Sequence, residues 1–360
     1  MSFPLKANPV EGKPTQEAHS QESGHHGGAV DSKEEVSEYI AHHVKDSHDF
    51  TLFADGEKGT HTGFHLPVIL WDKQSGLKMF SSCLFDYENN VATVGGDSYR
   101  LHHGKIYKTD KAGNLTYDAK HGEHPTNQMP LDFSITKTVL GMLLTSLLLL
   151  LGFGSLARGY NANALPKGIG RFLEPLVIYV KEEIAIPNIG EKKYRKYMGY
   201  LLTVFFFVLL ANLLGLTPLG LNITGNLAVT ACLALITFLI VQFSGNKDYW
   251  KHIFWMPGVP VPLKILLAPI ELFGIIVKPI ALMLRLFANM TAGHIVVMAL
   301  ISIAFVAKQK LGTPMASGMS LFFTLFIMCL ELLVAFLQAY IFTLLSALYI
   351  GTAVEEHDHH

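Results

Sequence analysis

Arg285 sits inside the apolar run Ala281-Leu-Met-Leu-Arg-Leu-Phe-Ala-Asn-Met-Thr-Ala-Gly-His294, between Leu284 and Leu286 and with no acidic residue close by. A guanidinium keeps its proton at any physiological pH. Holding one at bilayer depth costs roughly 2.5–3.5 kcal/mol on insertion scales. Such a charge calls for a counter-charge, and the surrounding sequence offers none. On a helix of about 100° per residue with Arg285 at zero, Ala281 falls at about −40°, Ala288 at about −60°, Asn289 at about +40° and Ala292 at about −20°. The arginine therefore lies in a stripe of small residues, which lets a second backbone come close in a membrane. This pattern predicts a docking face for another helix that carries a buried carboxylate. Lys278 and Glu271 continue roughly the same line at seven-residue steps, with Pro279 interrupting the backbone hydrogen bonding beside Lys278.

A second set of polar residues accompanies the first. Glu331 stands in Cys329-Leu-Glu-Leu-Leu333, where an ionised carboxylate is expensive, so pairing or protonation is expected. Gln338 falls on the same helical face as Glu331. His294 lies about 180° from Arg285, so His294 and Glu331 are expected to meet in a polar path apart from the arginine face. Histidine titrates near physiological pH and suits proton relay. The plainer roles are interhelical hydrogen bonding for Asn289 and Gln338, a stem reaching the interface for Lys278, and a favourable helix-dipole position for Glu271.

The elements that must hold these residues are apolar blocks at 134–157, 198–217, 226–244, 263–306 and 319–350. Each is long enough to cross a bilayer, and the fourth and fifth are long enough to require tilt or bending. Phe172–Ile186 mixes apolar residues with Glu174, Lys181, Glu182 and Glu183 and reads as an amphipathic surface helix. Basic residues crowd the segment between the first and second blocks (Arg158, Lys167, Arg171, Lys181, Lys192, Lys193, Arg195, Lys196) and recur at Lys247 and Lys251, whereas Thr217–Gly225 has none. Loops of this kind face the cytoplasm, which predicts an external N-terminus and a cytoplasmic C-terminus.

The expected fold class is therefore an all-α integral membrane protein, with about five transmembrane helices, long tilted fourth and fifth spans and an amphipathic surface helix. It is preceded by a polar, partly β-rich extension. Three parts are expected: a disordered His/Gly-rich segment 1–47, a β-rich extracytoplasmic extension and linker 48–132, and a membrane domain 133–360. The first 132 residues hold twelve of the seventeen histidines. Short alternating runs such as Phe64–Trp71, Leu77–Phe80 and Val91–Val94, separated by glycine turns, predict a small meander, and 118–132 reads as a polar linker. The formal net charge of −1 gives no basic excess for nucleic acid. Cys83, Cys232 and Cys329 are far apart, so neither a disulfide framework nor a cysteine metal site is implied. The histidines show no ligand spacing either, and no cofactor is expected. Met1–Lys6 lacks a signal-peptide pattern.

Arg-Leu-Phe-Ala-Asn-Met-Thr-Ala-Gly-His at 285–294 and Leu337-Gln-Ala-Tyr-Ile-Phe342 resemble subunit a of the F-type ATP synthase. So do Asn212-Leu-Leu-Gly-Leu-Thr-Pro218 and Asn222-Ile-Thr-Gly-Asn-Leu-Ala-Val-Thr230. The resemblance covers about residues 134–352 and leaves the extension unexplained. It implies that Arg285 is the stator arginine facing the c-ring carboxylate, with Asn289 and Gln338 beside it. It also implies that Glu271, His294 and Glu331 line two aqueous half-channels. Some bacterial members carry the acid where His294 stands and the histidine where Glu331 stands; this chain has the reciprocal arrangement. The implied partners are the c-ring, subunit b and other Fo/F1 subunits in a bacterial inner membrane, with ATP chemistry elsewhere in the complex. A self-contained secondary transporter or channel is the alternative, and it calls for an internal repeat that the chain does not display. A sensor module with a membrane anchor would not need five spans.

Overall fold

The computed structural model describes residues 46–55, 60–85, 90–117, 125–162, 168–217, 221–255, 260–311 and 313–355. The expected disordered segment 1–47 and the histidine-rich tail lie almost wholly outside these residues.

Eight short strands come first: β1 (Asp49–Asp55), β2 (Thr60–His65), β3 (Pro67–Asp72), β4 (Gly76–Ser81), β5 (Val91–Val94), β6 (Asp97–His102), β7 (Lys105–Thr109) and β8 (Leu131–Asp132). They form antiparallel sheets in the orders β1-β2, β4-β3-β8 and β5-β6-β7. Period-two alternation turns Val68 and Leu70 inward onto Ala92, Tyr99 and Ile106, which form the core of the extension. The segment read as a linker is tied down at its end: Leu131 and Asp132 pair with Trp71 and Leu70, and Lys108 N donates to Gln128 O at 2.9 Å. An extended polar segment beside an open strand edge can satisfy that edge with its backbone whatever its side chains.

Asp72 closes the extension electrostatically. Its carboxylate accepts from Gln74 N (3.0 Å), Ser75 Oγ (2.8 Å), Tyr99 Oη (3.4 Å) and Lys108 Nζ (2.5 Å), with its side chain 1% exposed. The Gln74 amide first, and then Lys108, hold its carboxyl well below the usual carboxylate range, and the bond to Asp72 raises Lys108. A depressed acid stabilises the fold above its unfolded pKa of about 3.9 and loses that contribution as pH falls below it. Raised Lys108 keeps its share below about pH 10.4 and loses it above. The protection factors of the β3–β4 amides in the full chain, with the pH dependence of intrinsic exchange divided out, should therefore be largest between these limits and fall on acidification. Asp72→Asn should cost the extension about 3 kcal/mol at neutral pH and flatten the acid limb; an unchanged exchange profile would count against this role.

The helices follow: α1 (Lys137–Ala162), α2 (Ile169–Tyr179), α3 (Tyr194–Gly215), α4 (Leu227–Ser244), α5 (Lys247–Phe254), α6 (Val261–Leu311) and α7 (Thr313–Val354). Among the described residues, five helices (α1, α3, α4, α6 and α7) are long and apolar enough to cross a membrane. At 51 residues α6 is about 76 Å long, far more than the ~30 Å hydrocarbon core, and is continuous through Pro269 and Pro279. The 42 residues of α7 run back beside it. The amphipathic helix is present as α2, extended by a π-helical turn at Val180–Ala185 and a helical turn at Ile186–Ile189. Its far end is turned into protein rather than lipid, because Val180, Ile184 and Ala185 are fully buried in the same core as α3 and α7. Where α7 meets the Ile186–Ile189 turn, a side chain at Gly351 would collide with the Asn188 carbonyl.

The helix ends are capped from distant parts of the chain. Asp46 Oδ1 accepts from Thr138 N (3.1 Å) and Ser47 O from Lys137 N (3.0 Å), so the extension caps α1. At the other side of the bundle, Asn246 N, Asn246 Nδ2 and Lys193 Nζ donate to the Ala353 and Val354 carbonyls that end α7 (3.0, 3.0 and 2.8 Å). Leu66, 3% exposed, packs onto Ala211, Leu221, Ile223 and Val229 and seats the extension on one end of the helices.

Candidate functional site

Two clefts lie along α6, one nearer the extension and one nearer the C-terminus of α7. The extension-side cleft, about 320 Å3, is lined by Leu286, Asn289, Met290 and Gly293 of α6 and by Glu331, Val334, Ala335 and Gln338 of α7. Asn212 and Leu216 at the end of α3 complete it. The opposite cleft, about 360 Å3, is lined by Ile275, Lys278, Pro279 and Leu282 of α6 and by Tyr349 and Thr352 of α7, together with Gln242 and Tyr249. Their near ends on α6, Leu282 and Leu286, are one turn apart, and Arg285 lies in the turn between them. Leu282, Leu286, Ala339 and Phe342 are each 2% exposed or less and belong to one core cluster, so packed side chains separate the clefts.

Arg285 itself is exposed, as are Ala281, Ala288, Asn289 and Ala292. The small-residue stripe is thus an uncovered face of this chain. Among the described residues Arg285 makes no ion pair.

The remaining expected residues divide between the clefts. Asn289, Gln338 (6% exposed) and Glu331 share the extension-side cleft. Glu331 Oε1 is buried without a hydrogen bond among the described residues, and a side chain at Gly293 would collide with it. His294 does not line that cleft; its Nε2 points at Gly215, where an added Cβ would lie 3.5 Å away, next to the cleft residue Leu216. The cleft takes in both Glu331 and Asn289, so Glu331 adjoins the arginine face, where the helical spacing predicts a separate face. Lys278 lines the opposite cleft with its ammonium 5.4 Å from the Tyr349 ring centre. Glu271 lies outside both clefts. Burial raises the Tyr249 phenol, its bond with Gln242 lowers it, and the Glu271 charge adds a smaller upward push.

Asn212, Gln242 and Tyr249 were not picked out as site residues by the sequence. Asn212, 2% exposed, accepts from Thr224 Oγ1 (2.7 Å) and donates to Ala335 O (3.4 Å), bracing α3, the following loop and α7 around the cleft. Gln242 Nε2 reaches Tyr249 Oη at 3.5 Å. An amide inside an apolar span is the signal that could have flagged both, since such groups seek interhelical partners.

These features define a multi-pass membrane protein with two offset, mainly apolar clefts that each hold a few polar side chains, and a cation in the turn between them. The family model described as ATP synthase A chain matches residues 139–351, and the chain belongs to that family. ATP synthase subunit a 2 of Chlorobaculum tepidum is 46% identical over 237 residues, covering 64% of this chain and 66% of that protein. ATP synthase subunit a of Chloroherpeton thalassium is also 46% identical, covering 63% and 69%. The Myxococcus xanthus subunit a is 43% identical over 249 residues, covering 67% and 80%. Residues 39–133 match a second family model, described only as a domain of unknown function.

Proposed function

We propose that this chain is the proton-translocating stator subunit of an Fo sector in a bacterial inner membrane. The observation that carries the reading is the position of exposed Arg285 in the single turn between two clefts, one beside the end of α3 nearest the extension and one beside the C-terminal end of α7. A proton entering one cleft neutralises a c-ring carboxylate, which can then face lipid. After nearly a full rotation the carboxylate returns to Arg285, releases its proton into the other cleft and pairs with the guanidinium. Asn289 and Gln338 flank that encounter, Glu331 and His294 serve the extension-side path, and Lys278 and Glu271 serve the opposite one. Because arginine does not surrender its proton, it blocks direct passage between the clefts. The potential supplies about 2.3 kcal/mol per charge per 100 mV, so several protons drive each ATP made in F1. The partners are the c-ring, subunit b and the remaining Fo/F1 subunits, and the chain itself performs no ATP chemistry. The distribution of basic loops supports an orientation with residues 48–132 outside and the C-terminus in the cytoplasm.

Sided thiol labelling tests the two paths. With Cys83, Cys232 and Cys329 replaced, cysteines at Val334 and Met290 should react with a membrane-impermeant reagent only from the extension side. Cysteines at Ile275 and Thr352 should react only from the other. Reaction of either pair from both sides would mean a continuous pore and would remove the two-path reading.

A further inference from the structure

The extension carries an apolar face that its own core does not use. Strands β3 and β4 turn Val68, Leu70 and Phe80 inward, so alternate residues point the other way. Those outward residues are Ile69 and Trp71 on β3, Leu77 and Met79 on β4, then Leu131 on β8 and Phe133 just beyond. The register makes them contiguous: Trp71 pairs with Leu77 on one side and Leu131 on the other, and Ile69 pairs with Met79. Trp71 is 50% exposed, Leu77 54%, Met79 64%, Leu131 57% and Phe133 63%, and none of the six carries a charge. A half-solvated antiparallel sheet alternates polar residues onto its outer face; an open, uncharged, aromatic-bearing face marks an interaction surface.

The attachment of the sheet identifies what lies against it. Leu66, immediately before β3, is wedged into the loop at the end of the spans. Phe133 N donates to Ile69 O (2.8 Å) and Ile135 N to Pro67 O (3.1 Å), and the first span starts at Lys137. Four residues at up to about 3.6 Å each place Phe133 within ~14 Å of the start of that span. The outward surface of α1 is itself apolar, with Leu143, Leu147, Leu150 and Leu151 exposed at 52–73%. The open sheet face is thus tethered within that reach of an apolar surface suited to lipid. Its Trp, Phe, Met and Leu side chains are of the kind that settle at the headgroup boundary.

We propose that the outer face of the β4-β3-β8 sheet is a membrane-docking surface, seated in the lipid interface on the extension side of the bilayer. The extension is then a peripheral lipid-bound module as well as a cap on α1. This inference does not depend on the ion-translocating role.

Trp71 reports on it directly. In the full chain with Trp250→Phe and Trp255→Phe, reconstituted in phosphatidylcholine nanodiscs, Trp71 is the sole tryptophan and its native environment is untouched. Lipid brominated near the glycerol end of its acyl chains should remove at least about half of its emission, while aqueous iodide should quench it weakly. Strong iodide quenching without a bromine effect would place the face in water. Shielding from both quenchers would mean that protein covers it. Either result overturns the proposal.

Discussion

Arg285→Ala is expected to reduce ATP-driven proton pumping by the assembled complex in membrane vesicles by ~100-fold or more, with subunit assembly retained. The loss follows from geometry. Arg285 occupies the one turn of α6 between the clefts and makes no ion pair among the described residues of its own chain. Its removal therefore takes away the group that makes a returning carboxylate release its proton. Assembly should survive because the side chain is exposed and Ala fits a stripe already formed by Ala281, Ala288 and Ala292. Arg285→Lys should fail almost as badly, since a desolvated ammonium can give up its proton where a guanidinium does not. Passive proton leak should rise in both variants. Pumping at the normal rate in Arg285→Ala would sink the proposed mechanism.

Glu331→Gln is expected to have the second-largest effect, a loss of about tenfold or more in the same assay. Glutamine keeps the shape that fits against Gly293 but cannot pick up and release a proton. Its neighbours in the cleft, Asn212, Asn289 and Gln338, are amides that cannot substitute. His294, beside Gly215, is the adjoining group able to titrate. Exchanging the two groups in the double variant His294→Glu with Glu331→His should recover a substantial part of pumping, while each single exchange should not. A dead double variant with normal assembly would mean that position, not titratability, governs this path. Normal pumping in Glu331→Gln would exclude Glu331 from it.

The site was unevenly legible in the sequence. Arg285, Asn289 and Ala292 share a face that simple helical arithmetic finds, because a residue's angular position on its own helix depends on local spacing alone. The five spans were readable for a related reason: a bilayer selects runs of apolar residues by length, and that length is written in the chain. Glu331 stands out by its cost in an apolar helix, and Gln338 by sharing its face. Asn212 stands in the motif Asn212–Pro218, but its place in the site is not legible there, since its partners Thr224 and Ala335 are 12 and 123 residues away. The segment 118–132 looked like a linker because its composition is polar, yet its end supplies a third strand through backbone bonds that side-chain pattern does not encode.

By itself the sequence determined the membrane class, the spans, the small-residue face and the cation on it, all consequences of local composition and periodicity. Only the tertiary structure decided that the polar residues divide into two clefts offset by one turn of α6, with Leu282, Leu286, Ala339 and Phe342 packed between them. It also decided that the extension stands on the end of the bundle through Leu66. These features depend on how distant helices stack and how deep each slides past its neighbour, which is set by close packing among side chains far apart in the chain.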